Sequence, residues 1–135
     1  MTVDPVPIGL QLVRTARAVS QAFDRAMTEA GGSAAVWQVL LLVRSQQWGT
    51  QSQMAEAMGI TGATLTHHLN AMEAQGLVTR RRSGRVQQVE LTAEGAALFE
   101  RLRDVARRHD ERLRASLGED EVAQLAALLA KMRPG

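Results

Sequence analysis

Sixteen consecutive residues, "LVTRRRSGRVQQVELT" from Leu77 to Thr92, constrain the fold of this chain most, because helical periodicity fails in them and holds on either side. Valines and leucines bracket a run of arginines, and Ser83-Gly84 in the middle suits a two-residue hairpin turn, since glycine supplies the positive φ such turns need. Pairing outward from that turn sets Arg82 opposite Arg85, Arg81 opposite Val86 and Val78 opposite Val89. Like charges facing each other across a hairpin cost a few tenths to about 1 kcal/mol. A merely solvated surface has no reason to concentrate them, so Arg80, Arg81, Arg82 and Arg85 point to an anionic partner.

The charge balance sharpens this. Leu77–Leu91 carries four arginines against one glutamate, a net of +3, whereas the whole chain of 135 residues carries +2, which leaves −1 for the rest. Basicity is local. Cysteine is absent, which removes disulfides and thiolate metal sites. A length of 135 residues suits one domain, here 1–135. No apolar run approaches the roughly 20 residues of a membrane span. "MTVDPVPIGL" has no basic region followed by an apolar stretch, so a cytoplasmic protein without a signal peptide is expected.

On either side the pattern is helical. Asp4, Pro5 and Pro7 punctuate a start, and Leu12, Ala16, Val19, Phe23 and Met27 recur at helical spacing until Gly31-Gly32, predicting a helix over about 8–30. Ser33 can cap a second helix, with Val36, Val39, Leu40 and Val43 as its stripe, ending near Ser45 before a turn at Trp48-Gly49. Thr50 and Gln53 have capping-box spacing and open a short third helix that ends at Gly59. Thr61 caps a fourth helix, which reaches Gln75 before Gly76. Its Leu65, Leu69 and Met72 share one face, with His68 at the edge. Ala63, Thr64, His67, Asn70 and Ala71 point the other way.

Two helices joined by a tight turn and followed at once by a basic hairpin make a winged helix-turn-helix. The second helix of that motif lies in the DNA major groove and the first crosses the backbone. Candidate DNA contacts are therefore Thr61, Gly62, Ala63, Thr64, Thr66, His67 and Asn70 on the reading helix, and Arg80, Arg81, Arg82 and Arg85 on the wing. Asn70 suits adenine, which offers an acceptor and a donor side by side. Double-stranded DNA is the expected partner.

The segments "VWQVLLLV", "QMAEAMGITGATLTHHLNAMEAQGLVTRR" and "VELTAEGAALFERL" together resemble the MarR family of bacterial transcription regulators. The resemblance covers nearly the whole chain, and "MEAQGLVTRR" followed closely by "VELTAEG" is its most specific piece. It implies a mainly α fold with a two-stranded wing, a DNA-binding lobe over 34–91, and dimerisation helices over 8–30 and 93–132. It also implies a homodimer on a pseudo-palindromic operator, repression by occlusion, and release by a small aromatic or phenolic effector. The family wing usually carries an aspartate two residues before an arginine. Here "RRRSGRV" is shorter and places Ser83 and Arg85 at those positions, which implies less reach.

After Thr92, a seam of Leu98, Leu102, Val105, His109 and Leu113 runs to about Leu117. A second seam, Val122, Leu125, Leu128, Leu129 and Met132, follows an acidic start at Glu119 to Glu121. Either stripe could be ordinary core. Helices this long exceed what one small lobe can cover, so Leu98, Leu102, Val105, Leu113, Leu125, Leu129 and Met132 are expected to contact a second protomer. Met27, Trp37 and His109 are candidates for an effector pocket, with core packing the alternative for each.

Metal sensing is disfavoured, because His67, His68 and His109 sit on separate faces or helices and no pair has i, i+4 spacing. No phosphate-binding glycine loop, nucleophile elbow or acid/base constellation is present, so neither catalysis nor a cofactor is expected. Two other functions compete with DNA reading. One is a dimeric protein-interaction module with a degenerate winged helix, and the other is a small metal-dependent enzyme using the histidines.

Overall fold

The computed structural model describes residues 6–45, 50–84 and 86–134. The expected turn at Trp48-Gly49, the punctuation at Asp4 and Pro5, and Arg85 lie outside these residues. The element order is α1 (Ile8–Glu29), α2 (Ala34–Ser45), α3 (Gln51–Met58), α4 (Gly62–Ala74), β1 (Val78–Ser83), β2 (Val86–Leu91), α5 (Ala93–Ala115) and α6 (Glu119–Met132). The fold is a mainly helical winged helix-turn-helix.

Local capping chemistry sets most of the helix starts. Ser33 Oγ accepts from the Val36 amide at 3.0 Å. Thr50 and Gln53 close both halves of their capping box, and Thr61 Oγ1 accepts from the Thr64 amide. Each such cap satisfies donors that the helix cannot, and is worth about 1 kcal/mol.

The hairpin forms with a different register from the one expected. Ser83 pairs with Val86, so the turn opens at Gly84, Arg82 faces Gln87, Arg81 faces Gln88 and Val78 faces Leu91. The pairing of Arg82 with Arg85 is not made. Turn chemistry explains the shift: the first central residue of both favoured two-residue turns needs φ > 0, and Gly84 takes that place at φ 64° where Ser83 would have been strained. Because the register moves by two residues, each side chain keeps its face. Val78 and Val89 are both buried.

One core draws on nearly every element: Met27 from α1, Val39 and Leu40 from α2, Met54 from α3, Leu65, Leu69 and Met72 from α4, and Leu98, Phe99 and Leu102 from α5. Full burial of such side chains contributes about 1.5–3 kcal/mol each. Leu98, Leu102 and Val105 therefore do not face a second protomer, as the seam suggested. α5 packs on α1 and α2, and the inward half of the stripe is spent on this core. Leu113, further along, is 42% exposed.

α6 buries no residue. Leu125, Leu128, Leu129 and Met132 on it, and Ile8, Leu10, Leu12 and Val13 on α1, are exposed. No single helix among the described residues is long and apolar enough to cross a membrane.

Where α5 begins, it is locked to the end of α4. Thr92 Oγ1 donates to the Gly76 carbonyl at 2.5 Å and accepts from the Gly95 amide at 3.0 Å, while the Thr92 amide donates to the Leu77 carbonyl at 3.1 Å. The backbones approach so closely that a Cβ on Gly95 would lie 2.0 Å from the Leu77 carbonyl oxygen. Only glycine fits there.

Candidate nucleic-acid interface

α4 presents its apolar side to the core through Leu65, Leu69 and Met72. The opposite side is polar and exposed: Thr61, Gly62, Ala63, Thr64, His67 and Asn70 all lie on the surface. No acidic residue occurs between Gly62 and Asn70, so nothing there offsets the positive end of the helix dipole. Thr64 Oγ1 accepts from Thr61 Oγ1 at 2.9 Å.

Thr66 is half-buried, and its Oγ1 accepts from Gln51 Nε2 at 3.0 Å. That bond ties α3 to α4 and engages the Thr66 hydroxyl within the fold. His68 is half-buried at the helix edge, its ring centroid 6.1 Å from that of His67.

The arginines of the wing divide by strand parity. Thr79 and Arg81 lie on the outer face, whereas Arg80 shares the face of buried Val78. Arg81 and Arg82 are exposed. Arg81 Nη2 lies 3.3 Å from Glu90 Oε2, with the two side chains 74% and 55% exposed. An ion pair so open to water is weak and yields readily to a phosphate.

Arg80 is different. Its side chain is only 15% exposed, and Nη2 donates to Asn70 Oδ1 at 2.6 Å and to Glu73 Oε1 at 2.8 Å. This hydrogen bond from Arg80 holds the Glu73 carboxyl below its ordinary range. Arg80 thus joins the wing to the reading helix, and its charge is already answered within the fold. Glu73 escaped the sequence reading, although two regularities pointed to it: it stands three residues after Asn70 on a helix, and β alternation puts Arg80 on the inner face.

The candidate effector residues do not converge. Met27 is fully buried in the core. Trp37 stacks on Phe99 at 5.5 Å and 14°, and Arg44 lies over the same Phe99 ring at 5.5 Å. His109 meets Phe23 edge-on at 5.1 Å. The cavities that exist nearby are open grooves between α1 and α5. One of about 620 Å³ is lined by Ala26, Glu29, Val105, Arg108 and Arg112 among others. A neighbouring groove includes His109.

Residues 32–87 match the MarR family. An HTH-type transcriptional regulator of Bacillus cereus is 28% identical over 94 residues, 70% of this chain and 64% of its own length, so the match spans just under two thirds of that relative. Among solved structures, the transcriptional repressor CouR bound to a 23-mer DNA duplex is 30% identical with a TM-score of 0.82, covering 93% of this chain and 92% of that one. CouR has also been solved bound to p-coumaroyl-CoA. A mutant MarR from E. coli complexed with operator DNA is 25% identical with a TM-score of 0.84, covering 96% and 95%.

Proposed function

The chain belongs to the MarR family, and we propose that it is a transcription regulator that binds a pseudo-palindromic DNA operator as a homodimer and represses by occupying it. The observation that carries this is the exposed face of α4 from Gly62 to Asn70, a stretch without an acidic residue, beside the exposed Arg81 and Arg82 of the wing. Thr61, Gly62, Ala63, Thr64, His67 and Asn70 meet the major groove, Arg81 and Arg82 meet phosphates, and Thr66 and Arg80 hold the reading surface in shape. CouR and MarR, both solved on DNA, support the reading.

Exposed apolar surface supports the dimer. An α6 without a buried residue, and an α1 with Ile8 and Val13 more than half exposed, leave two apolar faces for a second copy to cover. Two-fold symmetry then sets the reading helices about 34–36 Å apart, one turn of DNA. For the effector, the grooves between α1 and α5 take the place of Met27 and Trp37, and His109 stays a candidate as part of the neighbouring one. Arg108 and Arg112 stand there with Glu29 and Glu111 beside Val105 and Ala26, a mixed-charge lining with an apolar floor that suits a small aromatic or phenolic molecule.

The test is fluorescence anisotropy of the purified chain on duplexes covering the DNA that flanks its own gene, at several salt concentrations, with and without phenolic acids. Sequence-selective binding that falls steeply with salt is expected. A stable dimer that binds none of these duplexes would favour the protein-interaction module instead.

A further inference from the structure

Asn70 is the natural base reader of α4, and free asparagine reads adenine with both ends of its amide: Oδ1 accepts from N6 while Nδ2 donates to N7. In this structure the two ends are not equivalent. Arg80 Nη2 sits 2.6 Å from Asn70 Oδ1, and because a guanidinium has donors and no acceptor, the oxygen must be the atom that faces it. Glu73 Oε1, 2.8 Å from the same nitrogen, keeps the guanidinium there. The amide is therefore oriented by the fold before any partner arrives. Arg80 takes one of the two lone pairs of Oδ1, and its N–H hydrogens, positive at short range although Glu73 answers the charge at a distance, crowd and repel the N6 amino group that adenine would bring to the other.

We propose that the Glu73–Arg80–Asn70 bridge makes Asn70 a donor-only reader, selecting guanine at the base pair it contacts and disfavouring adenine and cytosine. This rests on α4 reading DNA as proposed above. Guanine presents two acceptors, N7 and O6, to the two hydrogens of Nδ2. Adenine presents N7 beside an amino group, and cytosine presents only an amino donor. Arg80 is the positioning residue in this scheme, and it sets specificity without touching the base. Glu73 is its anchor.

The experiment is selection of bound duplexes from a random pool by the full chain, followed by affinity measurements on every single base-pair variant of the selected site. The position read by Asn70 is the one whose preference relaxes in N70A. Guanine should exceed adenine and cytosine there by about tenfold or more. Two variants then change the base order in ways that loss of fold would not. R80M frees Oδ1 and should move the preference to adenine. N70D keeps an oxygen for Arg80 but replaces the outward donors by an acceptor, and should move the preference to cytosine. Wild-type preference for adenine at that position, an unchanged base order in R80M, or no position relaxed by N70A would each overturn the proposal. If the wild-type chain enriches no sequence and binds no duplex, DNA reading itself fails and the bridge has no base to select.

Discussion

Replacing Gly95 by alanine sets two effects of opposite sign against each other. Gly95 lies in the first turn of α5, where alanine is favoured over glycine by roughly 0.5–1 kcal/mol on backbone grounds. Against this, the new methyl would sit 2.0 Å from the Leu77 carbonyl oxygen, where approaches under 3.0 Å are essentially never seen, so the two backbones must part by at least their difference, 1.0 Å. Such overpacking costs about 1–3 kcal/mol. The shift also strains the bond from the Thr92 amide to the same carbonyl, worth about 1 kcal/mol. Sterics win by about 1–3 kcal/mol. With an unfolding entropy of roughly 2.1 cal/mol/K per residue, this lowers Tm by about 4–10 °C for a chain of this length. Circular dichroism melts of G95A and wild type at one fixed protein concentration, since assembly makes Tm concentration-dependent, are the measurement. A Tm equal to or above wild type would refute the close approach and leave the helix-propensity term in charge.

Three further outcomes follow from the same geometry. If Arg81 and Arg82 neutralise phosphates, alanine at either should weaken binding to all duplexes alike and reduce the salt slope by about one unit; an unchanged slope in the double variant would remove the wing from the contact. Glutamate at Leu125 and Leu129 should place charge on the exposed face of α6 and give monomer or aggregate in light scattering, with loss of DNA binding; an intact dimer would move the interface elsewhere. The Glu73 carboxyl is depressed from its ordinary value of 4.5, so the bridge's stabilisation is complete above that value and is lost as pH falls through the lower folded-state pKa. The side-chain amide signals of Asn70 in NMR should therefore stay fixed down to about pH 5 and move only at more acidic pH; movement nearer neutrality would assign the titration to another group.

What was legible in the sequence was local. Ser33, Thr50 and Thr61 announce helix starts because a cap needs only residues within one turn of each other, and the stripe of Leu65, Leu69 and Met72 gives the buried face of α4 by periodicity alone. The hairpin was legible as a hairpin, but its register was not, since Ser83-Gly84 and the next pair along differ only in which residue must bear the positive φ. The parting of α5 into core and exposed surface depends on where α1 and α2 stop covering it, and no spacing records that. The same holds for Arg80. As a letter among four arginines it reads as a phosphate contact, and only the position of α4 beside β1 makes it an internal bridge. Met27 and Trp37 show the converse, for an apolar residue lining a cavity and one filling a core leave the same pattern.

The lock between Thr92, Gly95 and the carbonyls of Gly76 and Leu77 gives α5 the mechanics of a lever. At 1.5 Å per residue its 23 residues make a rod roughly 34 Å long. Its exposed side carries ion pairs within the helix, Arg107 with Asp104 and Glu111, Arg108 with Asp104, and Arg114 with Asp110, all open to water. The near end has no play, because there is no room for even a methyl group between it and the junction of α4 with β1. A tilt of about 5° pivoted at the far end would displace that junction by roughly 3 Å over this length, the full span of a hydrogen bond. With no play at the near end, a small angular error in how the far end of α5 is seated becomes a displacement of the whole junction of α4 with β1, which cannot absorb it locally.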